Sequence, residues 1–406
     1  MKTDDKNIGK TILTAVVVAL VLTSSTCSGK ASGIKTPSGV DRKKIEALIQ
    51  TMMSKKPAEH NTDWFGTMPL AGFLSWHSLG YYPEVKDYVK QWLDYHHESI
   101  HVSDDEFWSR TSGGRSTVIR GYTLLFAAYC GYPGINFVCS PFYKLTGNEM
   151  ARQVCKDVGD LVLNRIPRNE LGMLQHDDIT RGFTIPDAAY FYVPALFMAA
   201  GAYDKEVQAG DKAAKAIQDR LIADGSDQLK KFTDLFLDKE KKITKTIYRD
   251  GKLGETYWTR ANGWLLWTIV ESVEYLDKNS DMYKYACNAL EIMAQGISNY
   301  QDESGALHLL VDEPDTPLET SGTIMTAYGI HKAVRLGWID KKYLPIAKKA
   351  WHYVDSMTDN EGNISGCYYG WAIPAEERDM TSFGPLKSVM GMLITTGAEF
   401  EKPMDK

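Results

Sequence analysis

Apolar residues recur along most of this chain at helical spacing. Ile45, Leu48, Ile49, Met52 and Met53 form one stripe behind the charged run Asp41-Arg42-Lys43-Lys44. Residues 85–97 carry the same pattern on Val89, Trp92 and Leu93, and residues 148–166 carry it on Val154, Val158, Leu161 and Val162. Residues 211–222 are amphipathic as well. Residues 189–202 are apolar almost throughout, which predicts a helix buried on every side. Further helices are expected over 264–276, 282–300, 321–336, 341–357 and 383–399, whereas long alternating β-branched runs are scarce.

Such a chain reads as all-α. Two antiparallel helices and their loops take ~50 to 60 residues, so roughly six hairpins fill it. A closed (α/α)6 barrel fits, with apolar helices inside and amphipathic helices outside. An open solenoid is the competitor, but no fixed-period repeat is present, which favours the closed ring. No interdomain linker interrupts residues 41–402, so a single catalytic-size domain is expected there.

The start of the chain departs from this pattern. Lys2, Lys6 and Lys10 precede an apolar run over 11–22, which is too short to span a bilayer comfortably. Small residues and Cys27 follow. Residues 1–27 therefore read as a signal peptide of the lipoprotein type, lipidated on Cys27, with cleavage without lipid as the alternative. Residues 28–40 read as a flexible tether. The protein is expected to be exported, to the periplasm or the cell surface, and to meet the membrane only through that anchor.

Composition narrows the function. The 406 residues are 44% hydrophobic and 24% charged, with a net charge of −6. No basic stripe suggests nucleic acid. Cys130, Cys139, Cys155, Cys287 and Cys367 are an odd set in a long chain and do not read as a disulfide framework. Without CxxC or His/Cys clusters, no metal or other cofactor is expected. GxSxG, HExxH, GxGxxG and P-loop motifs are missing too. The oligomeric state is not legible.

Candidate chemistry gathers in a few segments. Trp258-Thr259-Arg260-Ala261-Asn262-Gly263-Trp264 sets indoles, a guanidinium and an amide together. Indole faces stack on sugar rings, and a guanidinium fork matches a carboxylate, so Trp258, Arg260, Asn262 and Trp264 suggest an acidic sugar. A buried helix start, with Arg260 on a carbonyl, is the structural alternative. Asp187 follows Pro186 and opens the apolar helix that carries Tyr190 and Tyr192. It reads either as an N-cap or as a carboxyl held protonated by apolar surroundings. His176 sits on the preceding loop beside Asp177 and Asp178. Glu319 precedes Thr320 and Ser321, where it could anchor a loop or pair with Arg260. Trp64, Trp76, Trp108, Trp371, Tyr368 and Tyr369 could line a groove.

Taken in order, these segments resemble the unsaturated glucuronyl and rhamnogalacturonyl hydrolases of glycoside hydrolase families 88 and 105. Residues 142–149 resemble the LYxxTGxxxY helix start, and 167–176 resemble PR…GGFWH. Residues 186–190 resemble LDDLYM, 258–264 resemble WxRGNGW with Ala261 replacing a Gly, and 318–330 resemble LETSxSAMFAYxI. The resemblance implies an (α/α)6 barrel acting on a terminal 4,5-unsaturated uronic acid of an oligosaccharide. It makes Asp187 the acid that protonates the enol ether, with His176, Tyr190, Trp258, Arg260, Asn262, Trp264 and Glu319 on the substrate side and no metal.

Two departures stand out. The family's second Asp has no counterpart in Tyr132-Pro133-Gly134-Ile135-Asn136-Phe137, and its His before WxRGNGW has none in Thr246-Ile247-Tyr248-Arg249-Asp250. A saturated β-glucuronidase using two carboxylates is therefore an alternative, with Asp250, Glu255 or Glu319 as the partner of Asp187. Arg110, Arg115 and Arg120 could add positive charge near the uronate. A non-catalytic sugar-binding lipoprotein is the alternative of another class, and an epimerase on the same toroid is a fourth.

Overall fold

Alternate helices of the chain line an inner ring. The computed structural model describes residues 42–98, 132–176, 183–370 and 381–404. The ring consists of α2 (Trp64–Ser78), α4 (Asn136–Thr146), α6 (Pro186–Gly201), α9 (Thr259–Val273), α11 (Thr320–Arg335) and α13 (Lys387–Glu401). Each packs on the next, and α13 packs back on α2, so the ring closes as expected for the toroid. Outside lie α1 (Arg42–Met53), α3 (Val85–Glu98), α5 (Glu149–Asn164), α8 (Lys212–Phe236), α10 (Asp281–Tyr300) and α12 (Leu344–Ser356), with the short α7 (Asp204–Gln208) leading into α8. Lys35–Lys406 forms one compact unit. Residues 1–27 with Cys27, expected to direct export, and residues 28–40, expected to form a tether, lie outside the described residues.

Burial follows the sequence pattern. Every residue of α6 from Ala188 to Ala200 is buried, and α9 and α11 are buried almost throughout. The outer α5 buries a single stripe that includes Val154, Val158, Leu161 and Val162. Side chains at Asp63, Asn148, Asp211, Ser280 and Glu319 accept hydrogen bonds from the first free N–H groups of α2, α5, α8, α10 and α11, which fixes where those helices begin.

Several elements differ from the sequence expectation, the inner helix α4 among them. Helix α8 runs on to Phe236, through a polar stretch that reads as a break. Gly225 sits there against the Phe197 ring, where an added Cβ would crowd the ring at 3.0 Å. Helix α2 was not expected, since Gly66, Pro69 and Gly72 mask its periodicity. Packing supplies what propensity lacks, and the Trp76 indole donates to the Ile394 carbonyl of α13 at 2.9 Å. Residues 383–384 pair as a strand with 367–368, so α13 starts at Lys387.

Candidate active site

The first turns of α6, α9 and α11 meet at one end of the ring, and Asp187 stands among them. Pro186 opens α6, and the cap position is Ile185, which offers no side-chain hydrogen bond. Asp187 is therefore inside the first turn and is not the N-cap its sequence context suggests. Its Oδ1 is buried and has no hydrogen-bond partner, and neither has the buried Nε1 of Trp264. Burial raises the Asp187 pKa. His176, Arg260 and the nearby Trp264 indole N–H pull it down without cancelling that effect. The carboxyl therefore keeps its proton to higher pH than an ordinary aspartate.

Aromatic side chains supply the burial. Tyr190, one turn along α6 from Asp187, stacks on Phe137 with ring centroids 4.8 Å apart, and it packs against Trp264 at 4.9 Å. Trp264 also meets Phe191 at 5.3 Å and Trp64 at 5.9 Å. The Tyr190 hydroxyl is pushed well above its usual pKa by burial and by Glu271. Tyr190 thus belongs to the packed floor around the acid. Trp76 is fully buried core, and Tyr369 is exposed.

Arg260 lies almost wholly buried under Trp258, its guanidinium 4.0 Å from the indole centroid. It donates to the Tyr368 carbonyl at 2.8 Å, the Gly370 carbonyl at 2.7 Å and Ser321 Oγ at 3.0 Å. Three of its five N–H donors are therefore held by the protein. Burial lowers its pKa, opposed by Glu319 and Asp187. The guanidinium thus braces residues 368–370 while placing positive charge near the acid.

Glu319 is completely buried and caps α11. It accepts from Ser321 N at 3.1 Å, Gly322 N at 2.7 Å, Ser321 Oγ at 2.5 Å and Tyr368 N at 3.1 Å, and Arg260 is 4.0 Å away. Gly322 is required where α11 meets α9, because a Cβ would lie 2.1 Å from Thr259 Cγ2. Asn262 is likewise internal. It accepts from Thr244 N at 2.7 Å and donates to the Thr244 and Trp258 carbonyls at 3.2 and 3.0 Å. Glu319 and Asn262, expected on the substrate side, are structural clamps, because a buried amide or carboxylate satisfied on all sides has little left for a ligand. Glu319 does pair with Arg260, as its sequence position allows.

His176 is buried beside Asp187 on a loop fastened by the unexpected half of α8. Arg168 makes a bidentate pair with Asp224 at 2.9 and 2.7 Å. Gln228 accepts from Leu174 N at 3.0 Å and donates to the Gly172 carbonyl at 2.9 Å. The His176 ring stacks on Phe183, centroids 5.0 Å apart.

The suggested carboxylate partners are not brought to Asp187. Asp250 is exposed on a turn, and Glu255 is exposed and paired with Lys245 at 3.0 Å. Asn136 donates to the Cys155 and Ala195 carbonyls as an internal clamp. A residue the sequence reading passed over is Asp63, whose pKa is raised by burial and which caps α2 just before Trp64. Its position directly ahead of that indole was the available signal. Trp108, Arg110, Arg115, Arg120, Asp177, Asp178 and Trp371 lie outside the described residues. Among the described residues, no three His, Cys, Asp or Glu side chains are grouped to hold a metal ion.

Comparison with known proteins agrees with this architecture. The chain is 22% identical over 340 residues to the unsaturated rhamnogalacturonyl hydrolase YesR of Bacillus subtilis strain 168, covering 82% of this chain and 87% of that protein. Its fold matches a possible family 105 member from Klebsiella pneumoniae with a TM-score of 0.70 at 16% identity, over 89% of this chain and 92% of the other. It also matches the unsaturated glucuronyl hydrolase of Bacillus sp. GL1 with a TM-score of 0.60 at 15% identity, over 88% and 94%. The family model of Glycosyl Hydrolase Family 88 matches residues 40–402, and the chain, a glycoside hydrolase built as a six-hairpin toroid, belongs to that family.

Proposed function

We propose that this enzyme removes a terminal 4,5-unsaturated uronic acid from acidic oligosaccharides by hydrating its enol ether, with Asp187 as the acid. The observation that carries this reading is the Asp187 carboxyl: buried, raised in pKa, and not used as a helix cap. Vinyl-ether hydration needs a proton donor, and burial shifts this carboxyl in the direction that keeps its proton to higher pH. Asp187 gives its proton to C4. Water adds at C5, and the resulting hemiketal opens and frees the next sugar. The relatives' names, unsaturated rhamnogalacturonyl and glucuronyl hydrolases, support the same substrate class. Trp64, half-buried at the start of α2, offers stacking surface, and Arg260 favours an anion nearby through its charge.

A saturated β-glucuronidase needs a second carboxyl close to the first. Asp250 and Glu255 are exposed and Glu319 is consumed by its cap, so the described residues favour hydration. The test follows the ultraviolet absorbance of the C4=C5 double bond in lyase-generated oligosaccharides. Wild type should remove it, and Asp187→Asn should slow that removal by roughly 10²–10⁴-fold, the usual contribution of a general acid. Wild type that leaves the absorbance untouched across uronide types but cleaves p-nitrophenyl glucuronide would shift the assignment to the second reading.

The leader supports export with a lipid on Cys27. Cys27→Ser should release the protein from the membrane fraction, and an unchanged distribution would rule the anchor out.

A further inference from the structure

The stretch Thr246-Ile247-Tyr248-Arg249-Asp250 takes no part in the reaction just described, yet it is built with care. Tyr248–Arg249 and Lys252–Leu253 pair as a tight hairpin turned by Asp250 and Gly251, whose φ angles are 52° and 73°. Two successive left-handed residues give the turn that matches strand twist, and Asp-Gly is a favoured pair for it. The Tyr248 hydroxyl donates to Glu170 at 2.5 Å, tying the hairpin to the loop that carries His176.

Register decides what the hairpin presents. Arg249 lies opposite Lys252 on one side and opposite Phe183 on the other. Directly opposed residues share a face, so two cations and an aromatic ring stand together. The Arg249 guanidinium is 5.1 Å from the Phe183 ring centroid, and Phe183 stacks on His176, whose charge acts on Asp187. Arg249, Phe183 and His176 thus make a column leading from the surface toward the acid. A guanidinium stacked on a ring keeps its N–H edge available for a planar oxyanion. Arg249 and Lys252 are both exposed, and neither forms an ion pair among the described residues. The neighbouring carboxylates are engaged, Glu170 by Tyr248 and Glu255 by Lys245. Even counting Asp250 at the tip, this face is net positive.

We propose that Arg249, with Lys252 beside it, is a specificity-determining residue that binds an anionic group on the sugar next to the terminal uronyl unit. The preferred substrate is then an oligosaccharide whose second sugar carries a carboxylate or a sulfate ester. This inference rests on the proposed hydrolysis at Asp187.

The test compares wild type, Arg249→Gln, Lys252→Gln and the double variant on three unsaturated uronyl disaccharides. These share the terminal unit and carry a neutral, a carboxylated or a sulfated second sugar. Both side chains are exposed, so the variants should fold, as thermal melts would verify. We expect a loss of roughly fivefold in kcat/KM per cation on the anionic substrates, the upper end for an exposed ion pair. The loss should fall on KM with kcat unchanged, and none should appear with the neutral sugar. Salt should narrow the wild-type preference. The two anionic arms show whether carboxylate or sulfate is read. Variants that lose activity equally on all three substrates, or on none, while wild type turns them over, overturn the inference and leave the reaction standing. Wild type that hydrolyses none of them overturns both.

Discussion

In the proposed reaction the chemistry depends on Asp187, and its environment makes two separable predictions. Its raised pKa means that the proton-donating form persists to higher pH and is then lost. The value of kcat/KM should therefore fall as pH rises through the Asp187 pKa, which a pH–rate profile would follow. Stability has the same sign. A carboxyl whose folded pKa is raised stabilises the fold fully below its unfolded pKa, and that contribution disappears as pH rises through the folded value. The Asp187→Asn variant, with no charge to bury, should gain in Tm relative to wild type as pH increases from the ordinary aspartate range. A Tm difference flat with pH would contradict this. Arg260 and Asn262 teach the opposite lesson. Both have the right chemistry for a sugar, and both are held mainly by backbone groups of their own chain.

At the scale of elements, the start of α11 organises the site. Glu319 closes four hydrogen bonds and faces Arg260, so one carboxylate links α11, α9 and residues 367–370. Glu319→Ala removes the cap and leaves a buried guanidinium without its counter-charge. A loss of about 3 kcal/mol is expected from urea unfolding midpoints, and Glu319→Gln, which keeps part of the cap, should lose less. Helix α8 does for His176 what α11 does for Arg260. Gln228→Ala should raise KM more than it lowers kcat, since Gln228 only holds the loop; an unchanged KM in steady-state kinetics would count against that. The hydrophobic period gave the helices their places, but the polar middle of α8 hid its second half. That half, with Asp224 and Gln228, positions the site loop.

Across the whole molecule, ring closure joins the last inner helix to its neighbours. Glu399 on α13 is fully buried and accepts from Arg335 Nε at 2.6 Å and Nη2 at 3.0 Å on α11, with His331 at 3.2 Å and Lys402 at 3.1 Å. These partners hold its carboxyl well below the ordinary glutamate range against the opposing effect of burial. A depressed folded pKa contributes stability above the unfolded pKa, and that stability is lost as pH falls toward the folded value. Glu399→Gln should cost about 3 kcal/mol at neutral pH, the low end for breaking a buried pair. The gap to wild type should shrink on acidification, as denaturant titrations at several pH values would show.

The sequence by itself determined an all-α fold, because a 3.6-residue apolar period marks the helices whatever their context, and the missing fixed-period repeat favoured the closed ring over a solenoid. It also singled out Asp187 and the ordered segments around it. Tertiary structure decided which of the candidate side chains are available. Whether a guanidinium meets a substrate or a carbonyl depends on groups more than fifty residues away that the folded ring brings within hydrogen-bonding distance. Whether a carboxylate caps a helix or holds a proton depends instead on where it stands relative to the helix's first N–H groups. Glu319 and Asp187 are both acids at helix starts in sequence. Glu319 stands at the cap position, where backbone N–H groups fill both its oxygens, while Asp187 stands inside the first turn with a buried oxygen left unpartnered.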